Sequence, residues 1–157
     1  MYARNNLVDT LVFLPMTKES LNEVIIIENS VHAYPWTRQA FESSIDYGYV
    51  CRIARDPDGL LVGYFILMLA VDEVHLLNIA VLGRLQNMGF GRGLLDKVME
   101  MSKEMGAQSV LLEVRPSNLR ALRLYELNGF NRIGVRKDYY QSFSNTREDA
   151  IVMRRML

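Results

Sequence analysis

The chain has 157 residues, half of them hydrophobic, and its 18 basic and 18 acidic side chains cancel to a formal net charge of zero. That composition is enough for one domain, 1–157, with a sizeable core, and it excludes bulk electrostatic attraction to nucleic acid or to a membrane surface. A single cysteine, Cys51, rules out an internal disulfide and suits a reducing compartment, and two histidines without a cysteine cluster leave a zinc site short of ligands, so no metal is expected.

Taken in chain order, Met1-Tyr2-Ala3-Arg4-Asn5-Asn6 has no apolar leader, and no run reaches the roughly 18 to 20 apolar residues of a membrane span. A soluble, cytoplasmic protein is expected. Residues 11–14 read as a first strand, and Thr17 as the cap of a helix carrying Leu21, Val24, Ile25 and Glu28. Pro35 breaks that helix, and Thr37 caps a second, short one through Phe41 and Ile45. Strands at 49–55 and 60–70 follow, joined by Asp56-Pro57-Asp58-Gly59, a strong hairpin turn. Cys51 lies in the first of them and reads as a buried structural thiol. With a turn near Asp72, residues 71–81 supply a further strand. A glycine-rich loop then opens a helix with Leu94, Val98, Met101 and Met105 on one face, stopped by Gly106. Residues 109–114 form another strand, Pro116-Ser117-Asn118 starts a last helix that ends before Gly129, and 130–136 and 150–154 are the final strands. The expected fold is therefore α/β, a central mixed sheet of about seven strands with about four helices. Its helical crossovers favour parallel pairing after the fourth and fifth strands.

The loop Gln86-Asn87-Met88-Gly89-Phe90-Gly91-Arg92-Gly93 carries the clearest chemical signal. Lying between an apolar strand and an amphipathic helix, it leaves backbone N–H groups free at a helix N-terminus, a natural anion socket. Glycine there permits close approach of a phosphate and a positive φ. The spacing is not that of a P-loop, which needs Gly-Lys followed by Ser or Thr, nor that of a dinucleotide turn. Q-x-x-G-x-G remains.

Glu113 is the odd residue of Val110-Leu111-Leu112-Glu113-Val114, a run that otherwise reads as buried on both faces. An unpaired carboxylate there is costly, which makes Glu113 a candidate base, unless Arg115 two residues on pairs with it. Asn118 and Tyr125, seven residues apart, share a helix face that begins just after this strand. The plainer readings are a helix-start residue for Asn118 and a core aromatic for Tyr125.

Asn78-Ile79-Ala80-Val81, the Q-x-x-G-x-G loop, Leu112-Glu113-Val114-Arg115, Ser117-Asn118 and Leu124-Tyr125-Glu126-Leu127-Asn128-Gly129-Phe130 together resemble the GNAT N-acetyltransferases, specifically their ribosomal-protein-alanine (RimI) branch. His32-Ala33-Tyr34-Pro35-Trp36, Asp138-Tyr139-Tyr140 and Arg147-Glu148-Asp149-Ala150 extend the match to most of the chain. The resemblance implies acetyl-CoA as co-substrate. Ile79, Ala80 and Val81 would offer backbone groups to the acetyl-pantetheine arm, while Asn87, Met88, Gly89, Phe90, Gly91 and Arg92 would wrap the pyrophosphate and Asn118 would contact the cofactor. Glu113 falls on the general base and Tyr125 on the general acid. One departure is Asn87, where close relatives often have arginine. The implied acceptor is the N-terminal peptide of a protein, by resemblance the N-terminal alanine of a small-subunit ribosomal protein, with Tyr34, Trp36, Tyr139 and Tyr140 as candidate walls of its groove. Packing under the sheet explains these aromatics equally well. Two rival readings stay open here: a lysine or small-amine acetyltransferase of the same fold, and a CoA-binding regulatory domain without turnover.

Overall fold

A computed structural model describes residues 7–157, so the reading of Met1-Tyr2-Ala3-Arg4-Asn5-Asn6 lies outside the described residues. The elements are β1 (Val12–Pro15), α1 (Leu21–Val31), α2 (Arg38–Asp46), β2 (Val50–Arg55), β3 (Leu61–Ala70), β4 (Glu73–Val81), α3 (Phe90–Glu104), β5 (Ser109–Val114), α4 (Leu119–Leu127), β6 (Asn131–Gln141) and β7 (Arg147–Met156), with residues 7–9 also helical. This is the mixed α/β content expected, with seven strands. None of the described helices is long and apolar enough to cross a membrane.

The chain divides into two compact units, one made of residues up to Met68 together with Leu76–Val98, the other of Leu69–His75 and Met99–Leu157. In the first, β1, β2 and β3 pair antiparallel in sequence order, with Phe13 opposite Ala54 and Cys51 opposite Ile66. The β2–β3 turn forms as its residues dictate. Asp56 Oδ1 accepts the N–H groups of Asp58 and Leu60, and Gly59 takes the left-handed φ of 89° that closes it. Thr37 Oγ1 caps α2 by accepting from Ala40 N–H at 3.2 Å. At α1 a short 3₁₀ turn, Lys18–Ser20, comes first, with Thr17 as its N-cap, and Ser20 Oγ accepts from Thr17 N–H at 2.9 Å and donates to the Thr17 carbonyl at 2.7 Å. The core gathers Leu21, Val24 and Ile27 of α1, Phe41 of α2, Cys51 and Ile53 of β2, and Tyr64 and Ile66 of β3. Burial pushes the Cys51 thiol up to about 11, as expected of an inert structural cysteine.

In the second unit β7 lies between β5 and β6 and is antiparallel to both. The helical crossover through α4 does make β5 and β6 run in the same direction, but they do not pair, because the last strand inserts between them. Both final strands are longer than 130–136 and 150–154. Pairing with β7 carries β6 through Lys137 and Asp138, poor strand formers that an edge tolerates by bulging: the register slips between Arg136, opposite Ala150, and Tyr140, opposite Glu148.

Candidate active site

A short 3₁₀ turn, Gly83–Leu85, separates β4 from the glycine loop, and α3 begins at Phe90, so Gly91 and Gly93 lie in the helix rather than in the loop. The positive-φ positions are Gly89, at 92°, and Asn87, at 62°. Asparagine is one of the few side chains that enters this region readily, which gives Asn87 a backbone reason to stand where an arginine would be strained. Gln86 N–H reaches the Gly83 carbonyl and Gly93 N–H the Gly89 carbonyl; among the described residues, the amides from Asn87 to Arg92 between them make no hydrogen bond to the chain. Gln86 ties the loop to β4 through Nε2, which donates to the Val81 carbonyl at 3.1 Å, while its buried Oε1 has no partner among the described residues. An unpaired acceptor and a run of unpaired donors at a helix N-terminus suit an extended ligand rich in phosphate oxygens and amides. Upstream, Ile79, Ala80 and Val81 form the fully buried end of β4.

The same unit holds a buried carboxylate. Glu28, 1% exposed, accepts from Tyr64 Oη at 2.6 Å and Asn78 Nδ2 at 3.1 Å through Oε1, and from the Trp36 backbone N–H at 2.9 Å through Oε2. His32 Nε2 lies 3.5 Å from Oε1. Burial, followed by the adjacent Glu28 charge, pushes the Tyr64 phenol far up. Three neutral donors satisfy the anion and fasten the segment after α1 to β3 and β4. Trp36 stacks against Phe41 at 5.3 Å and packs on the core, so a core role for it is visible; Tyr34 is half-buried beside it in sequence.

Glu113 lies on β5, in the other unit. Val110, Leu112 and Val114 are buried while Leu111 and Glu113 are on a more open face, so the strand alternates instead of being sealed on both sides. The Glu113 side chain is still only 7% exposed, and its Oε1 takes no hydrogen bond among the described residues. Arg136 Nε of β6 lies 3.3 Å away and His75 Nε2 of β4 3.7 Å. Arg115, the alternative partner, pairs with Glu148 at 3.3 Å and stacks on the Tyr140 ring at 4.2 Å. Burial, followed by the Glu113 carboxylate, pushes the Tyr139 and Tyr140 phenols upward, and the two rings meet edge to face at 4.9 Å. The bulge in β6 therefore brings both tyrosines beside Glu113.

Tyr125 on α4 is 8% exposed and packs on Phe130 at 5.8 Å. Burial, followed by Tyr140, pushes its phenol up beyond the ordinary tyrosine range. Asn118 is the N-cap of α4, its Oδ1 accepting from Ala121 N–H at 3.2 Å, and Gly129, at φ 87°, ends the helix as expected. Glu113, Tyr125, Tyr139 and Tyr140 thus fall in one unit; Tyr34, Trp36, residues 79–81 and the loop fall in the other. His75 and Arg136 escape sequence reasoning because only tertiary structure brings them to Glu113. Glu28 left a signal, a carboxylate on the apolar stripe with Leu21 and Val24.

Residues 21–130 match the Acetyltransferase (GNAT) family. The [Ribosomal protein bS18]-alanine N-acetyltransferase of Escherichia coli K12 is 37% identical over 127 residues, covering 81% of this chain and 84% of that protein. The protein of the same name from Haemophilus influenzae is 39% identical over 127 residues, covering 81% and 86%. The crystal structure of the Escherichia coli ribosomal-protein-S18-alanine N-acetyltransferase superposes with a TM-score of 0.81 at 32% identity, covering 93% of each chain.

Proposed function

Because the chain belongs to the GNAT acetyltransferase family, we propose that residues 1–157 work as one domain that moves acetyl from acetyl-CoA to the N-terminal α-amino group of a protein. The N-terminal alanine of a bS18-type ribosomal protein, the substrate in the names of relatives 37% and 39% identical, is the acceptor we propose, met in the cytoplasm.

In this reading the free amides of residues 87–92 grip the pyrophosphate, the backbone of Ile79, Ala80 and Val81 aligns the pantetheine arm, and Asn118 adds a contact to the cofactor. Tyr139 and Tyr140, and separately Tyr34 and Trp36, are acceptor contacts in this proposal. Glu113 takes the proton of the incoming ammonium, directly or through a water, and the neutral amine attacks the thioester carbonyl carbon. The carbon–sulfur bond then breaks, Tyr125 offers its hydroxyl to the departing sulfur, and the second proton of the attacking nitrogen passes to water as the amide forms. Since burial holds that phenol protonated, its part is a hydrogen bond that strengthens as the thiolate forms rather than an early proton transfer.

The energetics favour an α-amine. Its pKa of about 7.7 to 8.0 makes neutralisation at pH 7 cost about 1 kcal/mol, whereas a lysine at about 10.4 would cost about 4.6 kcal/mol. A carboxylate base suits the smaller demand. The observation that carries the reading is the buried Oε1 of Glu113, which takes no hydrogen bond among the described residues and lies beside Tyr139 and Tyr140.

Intact-mass measurement of peptides incubated with acetyl-CoA tests the proposal. An alanine-initiated peptide gains one acetyl on its α-amine while lysine peptides and polyamines stay unmodified. Preferential acetylation of lysine or polyamine would replace the α-amine reading.

A further inference from the structure

Two adjacent carboxylates on β7, Glu148 and Asp149, take no part in the chemistry above, yet each holds one of the segments that surround Glu113. Glu148 Oε2 accepts the Ser117 backbone N–H at 2.9 Å, and Oε1 accepts from Ser117 Oγ at 2.9 Å and Arg115 Nη1 at 3.3 Å. Burial works against that charge, but Ser117 and Arg115 together outweigh it and hold the carboxyl below its usual range. The turn so fastened is the one that leads through Asn118 into α4 and Tyr125.

Asp149 holds a different segment. Its Oδ1 accepts the Asp138 backbone N–H at 2.9 Å. Asp138 has a φ of 52° and sits where β6 slips against β7, and Arg147 Nη1 also reaches its carbonyl at 3.4 Å. Aspartate tolerates the left-handed region better than most side chains, and the Asp149 hydrogen bond holds it there. The next two residues are Tyr139 and Tyr140, and Arg136, at the other end of the slip, lies 3.3 Å from Glu113 and 5.5 Å from the Tyr139 ring. Removing the Asp149 oxygen would free the bulge to relax toward regular pairing, which would re-aim both tyrosines.

We infer that Glu148 and Asp149 are positioning residues with separate duties: Glu148 sets the Arg115-to-Asn118 turn and through it the cofactor-side groups, and Asp149 sets the Asp138 bulge and through it the acceptor-side tyrosines. The words cofactor and acceptor rest on the proposed function; the two clamps themselves do not.

The test is a pair of single variants with a rescue, each checked for cooperative thermal unfolding. Asp149→Ala raises the acceptor-peptide KM about tenfold or more, the effect of losing one hydrogen bond to a charged group, and leaves CoA affinity by calorimetry within about twofold. Asp149→Asn keeps an oxygen for the Asp138 amide and restores most of the acceptor KM. Glu148→Ala shows the reverse split, with weaker CoA binding and lower kcat. Equal splits in the two alanine variants, or Asp149→Asn as impaired as Asp149→Ala, overturns the inference. Ultraviolet titration of the phenols supplies a readout without turnover, with Tyr139→Phe identifying the transition. In Asp149→Ala the Tyr139 phenol, released from Glu113, ionises at lower pH than in the parent protein, and in Asp149→Asn it does not. Should the parent protein acetylate no α-amine, the functional reading falls and this titration alone decides the positioning: an unchanged Tyr139 transition in Asp149→Ala overturns it.

Discussion

Replacing Tyr125 by phenylalanine separates the two tasks its position allows. The side chain is 8% exposed and its ring packs on Phe130 at 5.8 Å, contacts that phenylalanine keeps, so the fold should survive with little change in Tm. What is lost is the hydroxyl. For an unperturbed phenol at about 10 facing a thiol at about 8.5, full proton transfer is uphill by about 2 kcal/mol. Burial and Tyr140 push the Tyr125 phenol further up, which makes full transfer costlier still and leaves a hydrogen bond to the developing thiolate as the useful interaction. Deleting one such preorganised donor costs about 2.7 to 4 kcal/mol, or roughly 10² to 10³ in kcat. The assay is steady-state release of CoA thiol at saturating acetyl-CoA and an alanine-initiated peptide, with CoA affinity measured by calorimetry. The expected result is a kcat lower by that factor and a Kd within about twofold. A variant that keeps kcat within about threefold would refute the role of the hydroxyl, whatever happened to binding.

The remaining predictions concern packing, backbone and charge. A Cβ at Gly63 would collide with the Ala80 carbonyl oxygen and come within 2.9 Å of Leu94 Cδ1. Because backbone cannot yield cheaply, Gly63→Ala should destabilise by about 1 to 3 kcal/mol, lowering Tm by roughly 2 to 12 °C, and should weaken CoA binding through the displaced end of β4; an unchanged melting curve would contradict the packing. Val71 is a β-branched residue at φ 58° and is 97% exposed. Val71→Asn relieves that conformation without loss of contacts and should raise stability by about 1 kcal/mol, read as a Tm increase of about 2 to 4 °C. Glu73 accepts from Arg154 Nε at 2.7 Å and Ser109 Oγ at 2.6 Å, and the Arg154 hydrogen bond, against some burial, holds its carboxyl below the usual range. A depressed folded value means the contribution is fully present above the unfolded carboxylate pKa, about 4.3, and is lost as pH falls through the folded one. Tm should therefore drop on acidification below about pH 5, and Glu73→Gln should be less stable at pH 7 and show a shallower drop; parallel curves would remove Glu73 from the account.

Local chemistry made much of the molecule readable from its sequence. Thr37 and Asn118 cap helices because short polar side chains can reach the orphan N–H groups of a first turn, Asp56 and Gly59 close a hairpin by the same economy of reach, and Gly129 stops α4 with a φ other residues avoid. The features that stayed hidden depend on residues distant in the chain. Nothing local to Lys137 and Asp138 suggests a strand; β7 imposes one by pairing, and the mismatch is absorbed as a bulge held by Asp149. The partners of Glu28 lie 8, 36 and 50 residues away, and Arg136 and His75 reach Glu113 only through the arrangement of strands, so a carboxylate out of place was visible while its surroundings were not.

Calorimetric titration of the purified protein with acetyl-CoA and, in parallel, acetyl-pantetheine tests the central claim most directly, because the two ligands share the thioester arm and only the first carries the diphosphate with its 3′-phosphoadenosine. If the amides of residues 87–92 hold that diphosphate, acetyl-CoA binds with one site per chain and acetyl-pantetheine at least about a hundredfold more weakly, the loss of two hydrogen bonds to charged oxygens at about 1.5 kcal/mol each. Equal affinity for the two, or no heat with acetyl-CoA, would contradict it.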